Sequence, residues 1–273
     1  MAMNKSIENK LITTANKARQ LIIDVACCSR SAHVGSSLSC VDLLVALYFH
    51  QLRIDKNNWD RRDIFILSKA HGAMALYSVL ALRGLISLSS LKDYFQNDGS
   101  LPAHLDRFTS KAIEASAGSL GHGFNIAAGM AYSNKINKNK RKIYCLIGDG
   151  ESQEGSIWEG ALFASKLNID NLTVIMDHNN LQGYGRPNEI CSFEPVIKKW
   201  ASFGWQPYRV DGHNFTEIIN AFNKPHNGKP KIIIADTCKG KGVSFMENQM
   251  KWHYFIVTEE LKQKALSELC QRI

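Results

Sequence analysis

Short apolar runs recur along the chain, and more polar stretches separate them. Five of these runs are rich in β-branched residues and show no regular alternation of apolar and polar positions. Strands buried on both faces of a parallel sheet have this pattern, because neither face meets solvent. The sequence therefore predicts five strands, at residues 63–67, 142–147, 171–176, 207–210 and 231–235.

The segments between these runs carry apolar residues three and four positions apart, which is the spacing along one face of an α-helix. Alternation of strands and helices predicts an α/β fold with a parallel sheet flanked by helices on both faces. Ligands of such folds bind at the carboxyl ends of the strands, so residues directly after strands are the first candidates for function. The predicted helices are 7–28, 41–49, 73–82, 123–133, 153–167, 215–222 and 258–271.

Composition adds a few constraints to this picture. No repeat, low-complexity tract or Pro/Gly/Ser-rich linker divides residues 1–273, so we expect a single domain. The seven cysteines are odd in number, scattered and without a CxxC pair, which favours reduced, buried thiols in a cytoplasmic protein. The N-terminus is polar, and no apolar segment approaches the length of a membrane span.

The net charge of +8 raises the possibility of a nucleic-acid partner. Much of the excess lies in short runs, 135–142 and Lys198 with Lys199, which have no aromatic residues interleaved for base stacking. These runs are typical of solvated loops and helix ends, so we expect neither nucleic acid nor a membrane as a partner.

Candidate chemistry follows the second and third predicted strands. The segment GDGE at 148–151 ends one strand, and HNN at 178–180 ends the next. Asp149 and Asn179 offer the oxygen donors that Mg²⁺ prefers, and Gly150 leaves space for backbone N–H groups to meet a diphosphate at a helix N-terminus. Either segment alone is explained by an ordinary turn or loop, whereas the pair at one sheet edge indicates a metal–diphosphate site.

This GDG…NN pattern, with a strand at each end and a helix between, resembles the signature of thiamine-diphosphate enzymes. The resemblance implies that Asp149 and Asn179 ligate Mg²⁺ (or Ca²⁺ or Mn²⁺), that the Leu181 carbonyl completes the protein ligands, and that Gly150 contacts the diphosphate. It also implies the diphosphate-binding (PP-type) domain of that superfamily.

Further motifs narrow the resemblance to transketolases. In order, they are similar to three histidine-bearing loops, a glycine loop beside the cofactor, and a segment with a fourth histidine. The motifs are SAHVG at 31–35, LSKAHG at 67–72, LPAH at 101–104, GSLGHG at 118–123, and KGKGVSFMEN at 239–248 followed by Trp252 and His253.

The resemblance to transketolases implies roles for individual residues. His33 and His253 are expected at the reacting centre, His104 at the hydroxyls of the donor, and His71 near the diphosphate. The cofactor-binding set that the resemblance implies also includes Gly118 and Leu120.

The roles of two residues remain undecided. Glu154 matches a glutamate that links two cofactor sites across a dimer, but a helix N-terminal glutamate stabilised by the dipole explains it equally well. The role of His122 is undecided, since transketolases commonly carry glutamine there. The remaining histidines are expected in structural or surface positions: His50, His178, His213 and His226.

The resemblance implies an incomplete active site. A full transketolase also has a pyrimidine-binding domain, whose glutamate activates the cofactor, and a third domain, for which 273 residues leave no room. We therefore expect both on a partner subunit, in an α₂β₂ assembly that moves a two-carbon ketol unit from a sugar or sugar phosphate to an aldehyde.

Three alternatives remain at this level. The chain could be the α subunit of a thiamine-dependent 2-oxo-acid dehydrogenase, although the ordered histidine loops favour transketolase. It could be a silent cofactor-binding or regulatory subunit. It could also serve a specialised route that loads a two-carbon unit onto a carrier protein or another carbon skeleton.

Overall fold

A computed structural model of the chain describes residues 3–55 and 58–271, and a five-stranded sheet forms its centre. All neighbouring strands pair in parallel, in the order β1-β2-β3-β5-β4. The five predicted strands are confirmed, with ends shifted by up to two residues. Their bounds are β1 Ile64–Leu67, β2 Ile143–Gly148, β3 Leu172–His178, β4 Gln206–Asp211 and β5 Lys231–Asp236.

Helices pack on both faces of the sheet, as predicted. In β2, Tyr144 and Leu146 join the apolar core on one face, while Ile143 and Ile147 join the core on the other. Both faces are therefore dry, which explains why the strands lack alternation. The helices are α1 Lys5–Ser29, α2 Val34–Ser39, α3 Val41–Ala46, α4 Ala73–Leu82, α5 His122–Ile136, α6 Gly155–Lys166, α7 Pro187–Ile190, α8 Val196–Ser202, α9 Phe215–Asn223 and α10 Glu259–Cys270.

The sequence-based helix assignments needed three corrections. The predicted helix 41–49 is α3 followed by a π-helical turn, Leu47–Gln51. The predicted helix 153–167 begins at Gly155, because a 3₁₀ turn over Glu151–Gln153 intervenes after β2. Helices α2, α7 and α8 were not predicted, since segments this short do not display a helical period.

The cysteines are free thiols, as expected, but only Cys40 and Cys145 are fully buried. The expectation that all are buried was wrong for Cys28, Cys191 and Cys270, which are exposed. Cys28 and Cys270 lie near the ends of helices α1 and α10, where a helix leaves the core. No helix within residues 3–55 and 58–271 is both long and apolar enough to cross a bilayer.

Candidate active site

A cavity of about 390 Å³ opens at the carboxyl edge of the sheet. Four of its lining residues have no role predicted from the sequence: Ser36, Lys69, Tyr184 and Tyr254. The structure thus brings into one cavity every residue that the sequence analysis selected as a candidate: His33, His71, His104, His253, Gly118, Leu120, Asp149, Gly150, Glu154, Asn179 and Leu181.

The ends of β2 and β3 are joined by hydrogen bonds of the Asp149 carboxylate. This side chain is 3% exposed. Its Oδ1 accepts from the backbone N–H of Gly150 at 2.7 Å, and its Oδ2 accepts from the backbone N–H of Asn180 at 2.7 Å. Because Gly148 pairs with Asp177 in the sheet register, Asp149 and Asn179 both follow their strands at the same edge of the sheet.

Gly150 has a role in packing that the sequence did not reveal. A Cβ at this position would lie 2.9 Å from the side chain of Gln182, so glycine provides the space for that side chain. Its N–H donates to the Asp149 carboxylate, and its contact with a diphosphate stays a prediction.

The oxygen atoms beside Asp149 suit a hard divalent cation. A carboxylate, the Asn179 amide and the Leu181 carbonyl supply oxygen donors, the ligands that Mg²⁺ accepts. Burial, and then the Asp177 carboxylate, raises the pKa of Asp149 because both disfavour its charged form. A bound cation would favour the charged form and lower this pKa again. Within residues 3–55 and 58–271, no three His, Cys, Asp or Glu side chains form a metal cluster. An ion here would therefore need amide, main-chain and phosphate oxygens as well, and the residues present fit that requirement.

Lys239 is a buried cation that the sequence analysis missed. Its Nζ donates to the Leu181 carbonyl at 2.9 Å and forms a 2.8 Å hydrogen bond with Nδ1 of His253. A carbonyl oxygen carries two lone pairs, so Lys239 leaves one for an ion. Burial, and then Lys69, lowers the pKa of Lys239 to about 8. The only sequence signal was its place at the start of the KGKG segment.

A second missed feature is the buried ion pair between Lys69 and Asp177. The Nζ and Oδ2 atoms lie 2.5 Å apart, and the two side chains are 1% and 0% exposed. Asp177 also accepts hydrogen bonds from the hydroxyls of Ser39 and Thr237 and from the amide of Asn179. Burial would raise the pKa of Asp177, but Lys69 and these donors outweigh it and hold the pKa below its usual value. Asp177 thereby orients the Asn179 amide with a fixed negative charge.

Four histidines line the same cavity beside this polar edge. The ring centroid of His33 lies 5.4 Å from His71, 6.0 Å from His104 and 5.1 Å from His253. His33 precedes α2 in a left-handed conformation with a φ of 72°, and its N–H donates to the His253 carbonyl at 2.8 Å. Such a conformation is uncommon outside glycine and asparagine, and here it places the imidazole at the centre of the cluster.

Three of these histidines, His33, His71 and His253, are neutral at physiological pH. Burial, followed by His104, Lys239 and Lys69, lowers the pKa of His33 to about 4. Burial and then Lys239 lower the pKa of His253 to about 3, and burial with Lys69 places the pKa of His71 well below its ordinary value. A neutral imidazole offers one donor and one acceptor, so this wall can bind hydroxyl groups and hold or release protons.

Comparison with known proteins identifies the family of this chain. The family model described as transketolase, thiamine diphosphate binding domain, matches residues 10–266. The chain belongs to the transketolase family. It is 41% identical over 259 residues to the 6-deoxy-6-sulfo-D-fructose transketolase subunit SqwG of Clostridium sp., covering 93% of this chain and 94% of the relative.

Other transketolases are similar to this chain in sequence and in structure. An apulose-4-phosphate transketolase subunit of Phocaeicola vulgatus is 37% identical over 263 residues, covering 95% of this chain and 93% of the relative. The solved transketolase of Campylobacter jejuni superposes with a TM-score of 0.87 at 31% identity, covering 98% of this chain but 43% of its own. The chain thus spans less than half of the solved transketolases, whereas it matches the separate subunits along nearly their whole length. It is a thiamine-diphosphate-dependent transketolase subunit, as the sequence predicted.

In this transketolase subunit, Glu151 ties the glycine loop to the sheet. Its buried carboxylate accepts from the N–H groups of Gly148 at 3.1 Å and Gly121 at 2.9 Å, and from the Ser68 hydroxyl. Glu154 is exposed at the N-cap of α6 and makes no capping hydrogen bond. His122 is also exposed, and it lines a separate shallow depression with Ile126 and Ser156 rather than the active-site cavity.

The neutral histidines predict a pH dependence of stability. In the unfolded chain histidine takes up a proton near its ordinary pKa of 6.5, while His33 stays neutral to about pH 4 and His253 to about pH 3. The unfolded state therefore binds more protons between pH 6.5 and 4, and the free energy of unfolding falls as the pH drops through this window. Urea denaturation at pH 7 and pH 5 measures the slope.

A double variant provides the control for this pH dependence. Replacing His33 and His253 together with glutamine should flatten the slope between pH 7 and pH 5. His226→Gln, on the far side of the molecule, should leave the slope unchanged. A double variant with the wild-type slope would show that these two imidazoles are not the groups responsible.

Proposed function

We propose that this subunit holds thiamine diphosphate and Mg²⁺ in the cavity and, with a second subunit, moves a two-carbon ketol unit from a ketose donor to an aldehyde acceptor. The observation that carries the proposal is the juxtaposition of Asp149 and Asn179 with four histidines in one cavity. The bound cofactor would supply the carbanion that cleaves the donor.

The residues of this chain divide into two groups in the proposed reaction. Asp149, Asn179 and the Leu181 carbonyl hold the ion, and Lys239 supplies a positive charge beside them. His71, Gly118, Leu120 and Gly150 line the same cavity and are proposed to border the diphosphate.

The second group consists of His33, His104 and His253. As neutral imidazoles, His33 and His253 can accept a proton from one substrate hydroxyl and return it to another atom. The His104 ring lies edge-on to His33, at the position from which it would bind a donor hydroxyl. Glu154, exposed on the rim, is placed where a second copy could meet it.

The partner is proposed to carry the pyrimidine-binding domain, its glutamate and the C-terminal domain, leaving this chain as a single diphosphate-binding domain. Exposed apolar side chains in and next to the cavity would meet such a partner. Tyr184 and Tyr254 line the cavity, and Met250, Phe255 and Ile256 are exposed on the segment that carries Tyr254. A surface of this kind beside an open site is typical of an interface. We propose an α₂β₂ assembly, and a cytoplasmic location because the cysteines are unpaired.

The donor is proposed to be a ketose bearing an anionic group. Two similar subunits are named for 6-deoxy-6-sulfo-D-fructose and apulose-4-phosphate, which are ketoses with a sulfonate and a phosphate. His33, His71 and His253 in this cavity carry no charge, and the two buried lysines in and beside it are engaged with Asp177 and with the Leu181 carbonyl. The anionic group would therefore be bound by the partner.

The decisive experiment mixes the purified chain with its partner subunit, thiamine diphosphate and Mg²⁺. We expect no ketol transfer by either polypeptide on its own and transfer from a ketose phosphate or hydroxypyruvate to an aldose by the mixture. A mixture that reduces a lipoyl domain with pyruvate, and transfers no ketol unit, would instead assign the chain to a 2-oxo-acid dehydrogenase.

A further inference from the structure

Tyr254 covers the outer side of two histidines in the cavity. Its ring centroid lies 4.6 Å from that of His253 and 5.9 Å from that of His33. One side of the ring faces these imidazoles, while 55% of the residue remains exposed at the mouth of the cavity. The ring therefore covers part of the His33–His253 pair at the mouth of the cavity.

The loop that follows β3 fixes the position of this ring. Gln182 donates its N–H to the Gly185 carbonyl at 2.9 Å, which closes a tight turn around Gly183 and Tyr184. A Cβ at Gly183 would lie 2.8 Å from the Tyr254 hydroxyl oxygen and 3.4 Å from its ring carbons. A side chain at this position would therefore require the phenol to move from its place across the turn.

Water exclusion has a chemical consequence in a ketol transfer. With hydroxypyruvate as donor, transfer to an aldehyde is HOCH₂COCOO⁻ + RCHO + H⁺ → HOCH₂COCH(OH)R + CO₂. The competing release is HOCH₂COCOO⁻ + H⁺ → HOCH₂CHO + CO₂. Both reactions break the same carbon–carbon bond and consume one proton. They differ in whether the two-carbon unit forms a new C–C bond with the aldehyde or a new C–H bond with a proton that water can deliver.

We propose that Tyr254, whose hydroxyl lies against the turn at Gly183, is a positioning residue that shields the His33–His253 centre from water and so favours transfer over release. This inference rests on the proposed ketol transfer. The observed geometry supports it in two ways, since the ring packs against both imidazoles and a Cβ at Gly183 would displace the phenol from this place.

The test compares variants in the complex with the partner subunit, using hydroxypyruvate and an aldose. The ratio of glycolaldehyde released to ketose formed is measured for each. Tyr254→Ala is expected to raise this ratio about fivefold or more, because the site is no longer closed to water. Gly183→Ala should raise it in the same direction by displacing the phenol, while Tyr254→Phe, which keeps the ring, should stay close to the wild type.

Tyr208→Ala, on β4 away from the cavity, is the matched control and should leave the ratio unchanged. Unchanged ratios in both Tyr254→Ala and Gly183→Ala, with only a slower overall rate, would overturn the shielding role. If the wild-type complex consumes no donor at all, it is the proposed function that fails. Because Gly183→Ala tests the same contact independently, a Tyr254→Ala variant that does not fold leaves the inference open to refutation.

Discussion

Replacing Asp149 with asparagine is expected to weaken Mg²⁺-dependent binding of thiamine diphosphate severely while leaving the chain folded. Removing a metal ligand should weaken binding by about 100-fold or more, since even changes to residues that only support the ligands cost about 10–100-fold. Stability should change by only about 1 kcal/mol, because two effects oppose each other. The variant loses a buried charge close to Asp177, which is favourable, but its amide can accept only one of the two backbone hydrogen bonds.

Two measurements on the same preparations separate these effects. Calorimetric titration of thiamine diphosphate with Mg²⁺ into the chain and its partner gives the affinity, and urea denaturation of the chain gives the stability. Asp170→Asn is the control, because Asp170 lies on the surface with an exposed partner, Lys135. Equal cofactor affinity in Asp149→Asn and the wild type would refute the assigned site.

Much of the site could be predicted because it lies in short segments next to strands. Apolar runs located β2 and β3 to within two residues, and parallel strands that pair directly end at the same sheet edge. That rule alone placed Asp149 beside Asn179. The histidines were found through their motifs, since no periodic pattern connects His33, His71, His104 and His253, whose loops meet only in the folded chain.

The buried charges could not be predicted from the same patterns. Hydropathy assigns lysine to the surface. The partner of Lys69, Asp177, lies 108 residues after it in the chain, and the partner of Lys239, Leu181, lies 58 residues before it. The left-handed conformation of His33 depends on its hydrogen bond to His253, another distant contact. Contacts of this kind form only in the tertiary structure, so local sequence propensity does not predict them.

Replacing Lys69 with methionine is expected to lower the free energy of unfolding by about 3–5 kcal/mol, the cost of leaving a buried charge without its partner. Methionine matches much of the volume of the lysine stem but offers no charge to Asp177 and no donor to the Ser36 carbonyl, which Lys69 now contacts at 2.9 Å. Urea denaturation at pH 7 measures the loss.

The control is Lys135→Met, which removes a lysine from an exposed pair with Asp170 at 3.1 Å and should cost no more than about 1 kcal/mol.

Adding Asp177→Asn to Lys69→Met should restore part of the lost stability, because the neutral amide no longer needs a cation and can still accept from Ser39. Cofactor binding should stay weak in that double variant, since the charge that orients Asn179 is gone. If Lys69→Met proved no more destabilising than Lys135→Met, the buried pair would not be the element that fixes this edge of the site.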